Sequence, residues 1–334
     1  MAGNDEPIQD VAHLGYVELL TPKPSESQWY FTELLGMEAV HSEGQSAYLR
    51  GYGDYATFTL KLTESKEPGV ALIAWRAVSP QALDRRAQAI DKAGLGVGWS
   101  DGDYAKGRTY RFRDPDGHAM EIYYDQEKYA APEHLRSALK NQPMKLPTRG
   151  IGVRRIDHLA VLCKDVPGNR EFAQRILGLK VREQVIFEGG TVEIGSWMST
   201  NAIHHEIAYV VDVKGMSGRL HHFALWVDNQ QDVLRAADLF MENGIFIEAG
   251  PSKHNNSQAF YIYSYEPGGN RIELYTGGLF VFDPDFEPII WDEEARGTGV
   301  YWGSALPESF LNYATPAAET GAKSGSDVPV FDPH

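Results

Sequence analysis

An internal duplication constrains this chain more than any other feature. VAHLGYVEL, around His13, is echoed by IDHLAVLCKDV around His158, 145 positions on. A helical segment stopping at Gly36 (WYFTELLGME) returns as one stopping at Gly178 (EFAQRILGLKV), 142 on. A second helical pattern, SPQALDRRAQAIDKAGL with Gly94, returns as NQQDVLRAADLFMENGI with Gly244. RDPDGHAMEIYY with Glu121 returns as YEPGGNRIELYT with Glu273. Four matches in one order, at offsets of 142 to 152, mean that one unit is used twice. The glycines suit helix C-termini, where the chain must enter the left-handed region.

Each half reads as strand, helix and short strands, twice over, so the expected class is α+β, mostly antiparallel. It comprises two homologous domains, each of two βαβββ modules. The boundaries that follow are a first domain over 1–130, a linker over 131–152 with prolines and basic residues, and a second domain over 153–288. An aromatic-rich extension over 289–315 is expected to pack over the active site. The small polar composition of 316–334 predicts a disordered tail.

A length of 334 residues suits two domains, and 43% hydrophobic with 23% charged residues is a globular composition. The 46 acidic against 31 basic residues give a net charge of −15. Such a surface repels phosphate backbones and anionic headgroups, so neither nucleic acid nor membrane is an expected partner. Cys163 is the one cysteine, which excludes an intrachain disulfide. With no apolar run of membrane-spanning length and a polar, acidic start, a cytoplasmic location is expected.

Histidine concentrates in the second half, at His158, His204, His205, His221, His222 and His254, with Tyr263 and Glu273 nearby. Alternation along a strand decides which of these can converge. In HHFALWV, residues Phe223, Leu225 and Val227 form an apolar face, so His222 points the other way and His221 does not. In RIELYT, Ile272 and Leu274 leave Glu273 on the opposite face, which His158 can share. Two imidazoles and one carboxylate that leave open positions on a cation suit a non-heme Fe(II) oxygenase. His204, His221, His118 and His41 read as structural or exposed residues, and Cys163 as a small buried hydrophobe.

RIDHLAVLCKDV, NAIHHEIAYV, GRLHHFALWVDNQQDVLRAADL, GPSKHNNSQAFYIY and GGNRIELYTGG together resemble the type I extradiol dioxygenases of the vicinal oxygen chelate superfamily, and among them the catechol 2,3-dioxygenases. The resemblance implies His158, His222 and Glu273 as ligands of Fe(II). It implies His205 as the acid–base residue beside the oxygen site, His254 as a hydrogen-bond donor near the substrate oxygens, and Tyr263 as partner of the substrate hydroxylate. Trp197 matches a position that lines the substrate ring. The implied reaction is cleavage of a catechol by O2 next to the diol pair, giving a 2-hydroxymuconic semialdehyde. A homo-oligomer, with a tetramer favoured, goes with it.

In the first half, His13 and Glu121 are expected at the outer ligand positions, but Leu72 falls where His222 would be, so iron is expected only in the second half. Relatives acting on carboxylated catechols place arginine near the pocket. Here the matching stretch carries Ala249, and the extension offers only Arg296. Catechol, or an alkyl- or halocatechol, is therefore expected first, a bicyclic diol next and homoprotocatechuate after that. The rival readings are a non-oxidative metal-dependent enzyme of the same superfamily and a metal-free binding module.

Overall fold

The computed structural model describes residues 7–296 and 299–318, so the predicted tail lies outside the described residues from 319 onward. In chain order the first half comprises β1 (Val11–Thr21), α1 (Pro24–Trp29), β2 (Glu38–Glu43), β3 (Ser46–Arg50), β4 (Leu60–Glu64), β5 (Gly69–Ala77), α2 (Pro80–Lys92), β6 (Gly96–Ser100), β7 (Thr109–Arg113) and β8 (Ala119–Tyr123). The second comprises β9 (Arg155–Cys163), α3 (Val166–Phe172), β10 (Lys180–Phe187), β11 (Val192–Ser199), β12 (Ile207–Val211), β13 (Arg219–Trp226), α4 (Gln230–Glu242), β14 (Ile247–His254), β15 (Ala259–Tyr265) and β16 (Arg271–Gly277). Each half is βαβββ twice. Beyond them lie β17 (Ile289–Trp291), α5 (Glu293–Arg296), β18 (Val300–Trp302) and α6 (Glu308–Asn312).

The strand orders are β2-β3-β4-β1-β5-β8-β7-β6 in the first sheet and β17-β10-β11-β12-β9-β13-β16-β15-β14-β18 in the second. Without β17 and β18 the two are the same order, strand for strand. In each sheet the two central strands are antiparallel, β1 with β5 and β9 with β13, and each has a parallel outer neighbour. β17 runs parallel beside β10 and β18 antiparallel beside β14, so the extension adds a strand to both edges of the second sheet.

Local chemistry explains the helices. Ser79, Asp165 and Asn229 accept hydrogen bonds from backbone N–H groups three residues on, capping α2, α3 and α4, a contribution of about 1 kcal/mol each. The apolar stripe of α4, Val233, Ala236 and Phe240, is buried at helical spacing. Gly178 turns the chain after α3 with φ +80°, and a Cβ there would meet the Ile8 carbonyl oxygen at 2.7 Å, so only glycine fits without a shift.

Alternation divides each strand between two faces. Leu159, Val161, Phe223, Leu225, Ile272 and Leu274 enter one apolar core shared by both halves. The halves meet through Tyr30, whose ring stacks on Phe240 at 5.7 Å and whose hydroxyl lies 2.8 Å from Ser264 Oγ. The opposite strand faces are left to line a concave surface.

Two irregularities break this alternation. In the β9–β13 ladder, Ala224 pairs with His158 and Leu225 with Ile156, so Asp157 is skipped. Likewise Leu220 pairs with Val161 and His222 with Ala160, so His221 is skipped. Each β-bulge adds one off-register side chain immediately before a histidine of the concave face.

Candidate metal centre

His158 from β9, His222 from β13 and Glu273 from β16 converge on the concave face of the second sheet. Their ligand atoms all lie within 4.8 Å of one another and all three residues are buried. His158 Nε2 stands 3.0 Å from Glu273 Oε2 and 3.3 Å from His222 Nε2, and His222 Nε2 is 3.2 Å from the same carboxylate oxygen. They sit on three adjacent strands, with Ala224 paired to both His158 and Glu273, so the backbone ladder itself sets their spacing.

The electrostatics favour a cation. Burial alone would push the Glu273 carboxyl up, but the His158, His222 and His254 rings around it hold it well below the usual carboxylate range. Burial pulls His222 down to about 4, against the opposing pull of Glu273. Burial also works against the charged form of His158, yet the hydrogen bonds to Asp157 and Glu273 outweigh it and raise the ring to about 9. A buried carboxylate facing two imidazole nitrogens is the donor set of a divalent metal with open positions.

The two bulges supply the supports. Asp157 Oδ2 accepts from His158 Nδ1–H at 2.8 Å, which turns Nε2 inward, and Arg155 ion-pairs with the other carboxylate oxygen at 2.8 Å. His221 Nδ1 lies 2.7 Å from His222 Nδ1. Strict alternation places His221 on the far face, but the bulge brings it to the cavity wall. Asp157 was not singled out from the sequence either; its signal is a carboxylate adjoining a histidine of the cluster, which gains meaning only once the bulge turns it inward.

The remaining expected residues line the same cavity, of about 560 Å³: His205, His254, Tyr263 and Trp197. The His205 ring lies 3.8 Å from that of His158, and its Nδ1 is 2.8 Å from His204 Nδ1. Burial, then the neighbouring His158 and His204, hold His205 well below the ordinary imidazole value, so its ring is neutral. His204 is buried, 3.5 Å from Glu183. His254 ends β14, with Nε2 at 3.2 Å from Tyr263 Oη and 3.3 Å from Glu273 Oε1. Burial, reinforced by Glu273, keeps the Tyr263 phenol protonated.

Away from the cluster the wall is apolar, with Leu162, Val185, Phe187, Ile194 and Val210, and Leu306 and Phe310 of the extension form its roof. Among the described residues no lysine or arginine lines it. The side chain of Arg296 lies outside the described residues.

The first half departs from expectation in one position. Its ladder pairs Tyr16 with Ala74, and Ala74 with Glu121, just as His158 pairs with Ala224 and Ala224 with Glu273. Tyr16, not His13, therefore stands where His158 stands: the ladders align the halves here at an offset of 142, which sets His13 opposite Arg155, and the bulge at Gly15 is the counterpart of the one at Asp157. His13 instead faces a separate cavity between the halves. Leu72 takes the place of His222, as the sequence offsets predict. Tyr16 Oη donates to Glu121 Oε1 at 2.6 Å, and the buried Lys106 ammonium sits 5.4, 4.4 and 5.1 Å from the ring centroids of Tyr16, Phe58 and Tyr123.

Paired βαβββ modules wrapped around a His–His–Glu cluster define a metal-chelating scaffold duplicated within one chain. The chain belongs to the glyoxalase/bleomycin resistance protein/dioxygenase superfamily, whose family model matches residues 13–122 and again 155–274. It is 45% identical over 314 residues to the metapyrocatechase of Geobacillus stearothermophilus, covering 93% of this chain and 95% of that one. It is 41% identical over 297 residues to a manganese-dependent 2,3-dihydroxybiphenyl 1,2-dioxygenase of Geobacillus genomosp. 3, covering 88% and 94%. Its fold matches the homoprotocatechuate 2,3-dioxygenase of Brevibacterium fuscum in complex with 3,4-dihydroxyphenylacetate. The TM-score is 0.82 at 24% identity, over 93% of this chain and 94% of that one.

Proposed function

We propose that this chain is an extradiol dioxygenase that opens the ring of catechol, or of an alkyl- or halocatechol, beside its diol pair to a 2-hydroxymuconic semialdehyde. One observation carries the reading: His158, His222 and Glu273 meet within 4.8 Å at the end of an apolar cavity that also holds His205, His254 and Tyr263. A metal-free binding module has no use for a buried carboxylate flanked by two imidazoles. Against a non-oxidative relative stands the 45% identity to a metapyrocatechase over 93% of this chain.

His158, His222 and Glu273 would hold the metal, and Fe(II) is the ion this reading takes, with Mn(II) the other the donor set accepts. When bound, that ion supplies a chelation point for both diol oxygens and a redox partner for O2. The side chains do the rest. Neutral His205 takes a proton from the diol and returns it to the oxygen that leaves in ring opening. Tyr263, protonated and 3.2 Å from His254, donates a hydrogen bond to the substrate oxygen, and His254 steadies the pair. Trp197 and the aliphatic wall hold the ring and keep water out.

The absence of a lysine or arginine among the described lining residues favours a neutral ring over homoprotocatechuate. The volume of the cavity and the 41% identical biphenyl-diol enzyme support a bicyclic diol as the second reading. A homo-oligomer, taken as a tetramer, and a cytoplasmic location complete the proposal. The latter rests on a chain whose one cysteine, Cys163, is buried in the core; no helix among the described residues is long and apolar enough to cross a membrane.

The test is anaerobic loading with Fe(II), then catechol and air. Stoichiometric oxygen uptake with a yellow product is expected, and loaded protein that consumes no oxygen would contradict the proposal.

A further inference from the structure

We infer that His221 is a positioning residue that couples the C-terminal extension to the hold on the metal. The inference rests on the reading of His158, His222 and Glu273 as the metal site.

The argument is one of counting protons. His221 Nε2 lies 2.8 Å from the carbonyl oxygen of Phe310, and a carbonyl only accepts. The hydrogen of a neutral His221 ring is therefore on Nε2, and its Nδ1 carries a lone pair. His222 Nδ1, 2.7 Å away, must then be the donor. A neutral imidazole has one N–H, so His222 Nε2 is left bare, aimed at Glu273 Oε2 and His158 Nε2. The Phe310 carbonyl thus selects, through one intervening ring, the tautomer of His222 that can bind a cation. His158 needs no intervening ring, since its Nδ1 donates directly to Asp157.

This chain of bonds depends on two features. The bulge at His221 places the ring on the concave side. The extension is then pinned so that the Phe310 carbonyl stays in place. Arg271 donates to the carbonyl oxygens of Ser309 and Tyr313 at 3.2 and 3.0 Å, Arg219 to that of Ala314 at 3.2 Å, and Thr315 N to Leu220 O at 3.0 Å. The Phe310 ring packs edge-on against His221 and Tyr263, with centroids 4.7 and 4.8 Å apart. The segment that roofs the cavity is thereby also a support of the ligand set. In the first half the skipped position of β5 is Ala71, which offers no such bond.

The test measures Mn(II) binding to the full apo chain, with free ion counted by electron paramagnetic resonance. Wild type is expected to take one ion per chain. His221→Leu keeps the bulk but removes the acceptor, and should weaken binding about 10- to 100-fold. His221→Asn, whose amide oxygen can stand in for Nδ1, should restore most of it. A folded His221→Leu that binds Mn(II) as tightly as wild type, itself loading normally, overturns this inference and leaves the metal-centre reading standing. A wild-type chain that takes up no ion overturns both. Should the leucine variant not fold, histidine nitrogen NMR of unaltered apo protein decides. Protons on His221 Nε2 and His222 Nδ1 support the inference, and the reverse pattern overturns it.

Discussion

Tyr16 donates a 2.6 Å hydrogen bond to Glu121 at the register position where, in the second half, His158 approaches Glu273. Burial, reinforced by Glu121, keeps that phenol protonated, so it gives the carboxylate a hydrogen where an imidazole would offer a cation a lone pair. With Leu72 beside it, the first-half cradle lacks the two imidazoles of the second, and Lys106 lies within the same ring of aromatic side chains.

Lys106 titrates as a result. Burial, then the charge of Arg76, pulls it from 10.5 down to about 7. Between these values the unfolded chain holds a proton that the folded chain has released, so this residue's contribution to stability rises with pH across the window. Lys106→Met removes the titration. The variant's advantage over wild type in denaturant unfolding should shrink by up to about 1.4 kcal/mol per pH unit between pH 7 and 10. A gap that does not vary with pH contradicts this.

Glu273→Gln replaces the carboxylate of the proposed ligand set with a neutral amide of the same shape. Metal content should fall from one ion per chain to near zero, while the far-ultraviolet circular dichroism is unchanged. Retention of a full complement of iron would exclude the carboxylate as a ligand.

His205→Phe keeps the bulk beside His158 and removes the base. Anaerobic binding of catechol should survive, and kcat should fall by about 10²- to 10⁴-fold, the range of a lost acid–base residue. Unchanged turnover would take His205 out of the reaction.

Substrate preference follows from the cavity wall. With no cationic side chain among its described lining residues, kcat/KM for catechol and for 2,3-dihydroxybiphenyl should each exceed that for 3,4-dihydroxyphenylacetate by at least tenfold. A preference for the carboxylated ring would point to a cation that the described lining does not supply.

Arg271 is fully buried and donates from Nη2 to Glu248 Oε1 at 2.9 Å, as well as to the carbonyls of His221 and Tyr313. Arg271→Met leaves Glu248 buried without its partner, which should cost about 3–5 kcal/mol of stability. A urea midpoint within error of wild type would refute that.

What could be read from the sequence was whatever obeys a period. The duplicated landmarks yielded both sheets and their modules, because helix-stop glycines and β-alternation are local properties of the chain. Alternation likewise put His158, His222 and Glu273 on one face. Where the period is broken by a single residue, local pattern carries no signal: the bulges at Asp157, His221 and Gly15 arise from strand pairing with partners some 60 residues away. The first two hid the support of His158 and turned His221 inward; Tyr16 stands where His13 was expected because the two histidines, 145 positions apart, are three residues out of the 142 register that the ladders set. For His204 the sequence leaves a structural and an exposed position open, and the structure has it buried against His205, a contact set by the path of the chain between β11 and β12. Lys106 was invisible for another reason, since its surroundings come from three separate stretches of the chain.

The extension that lays β17 against β10 and β18 against β14 also shields the backbone donors and acceptors that outer strands would otherwise present to other molecules. Clipping that stretch away would therefore do more than open the catalytic chamber. It would leave two sticky hems on the same half of the protein, so inactivation and clumping should set in together when the chain is trimmed from its C-terminal end.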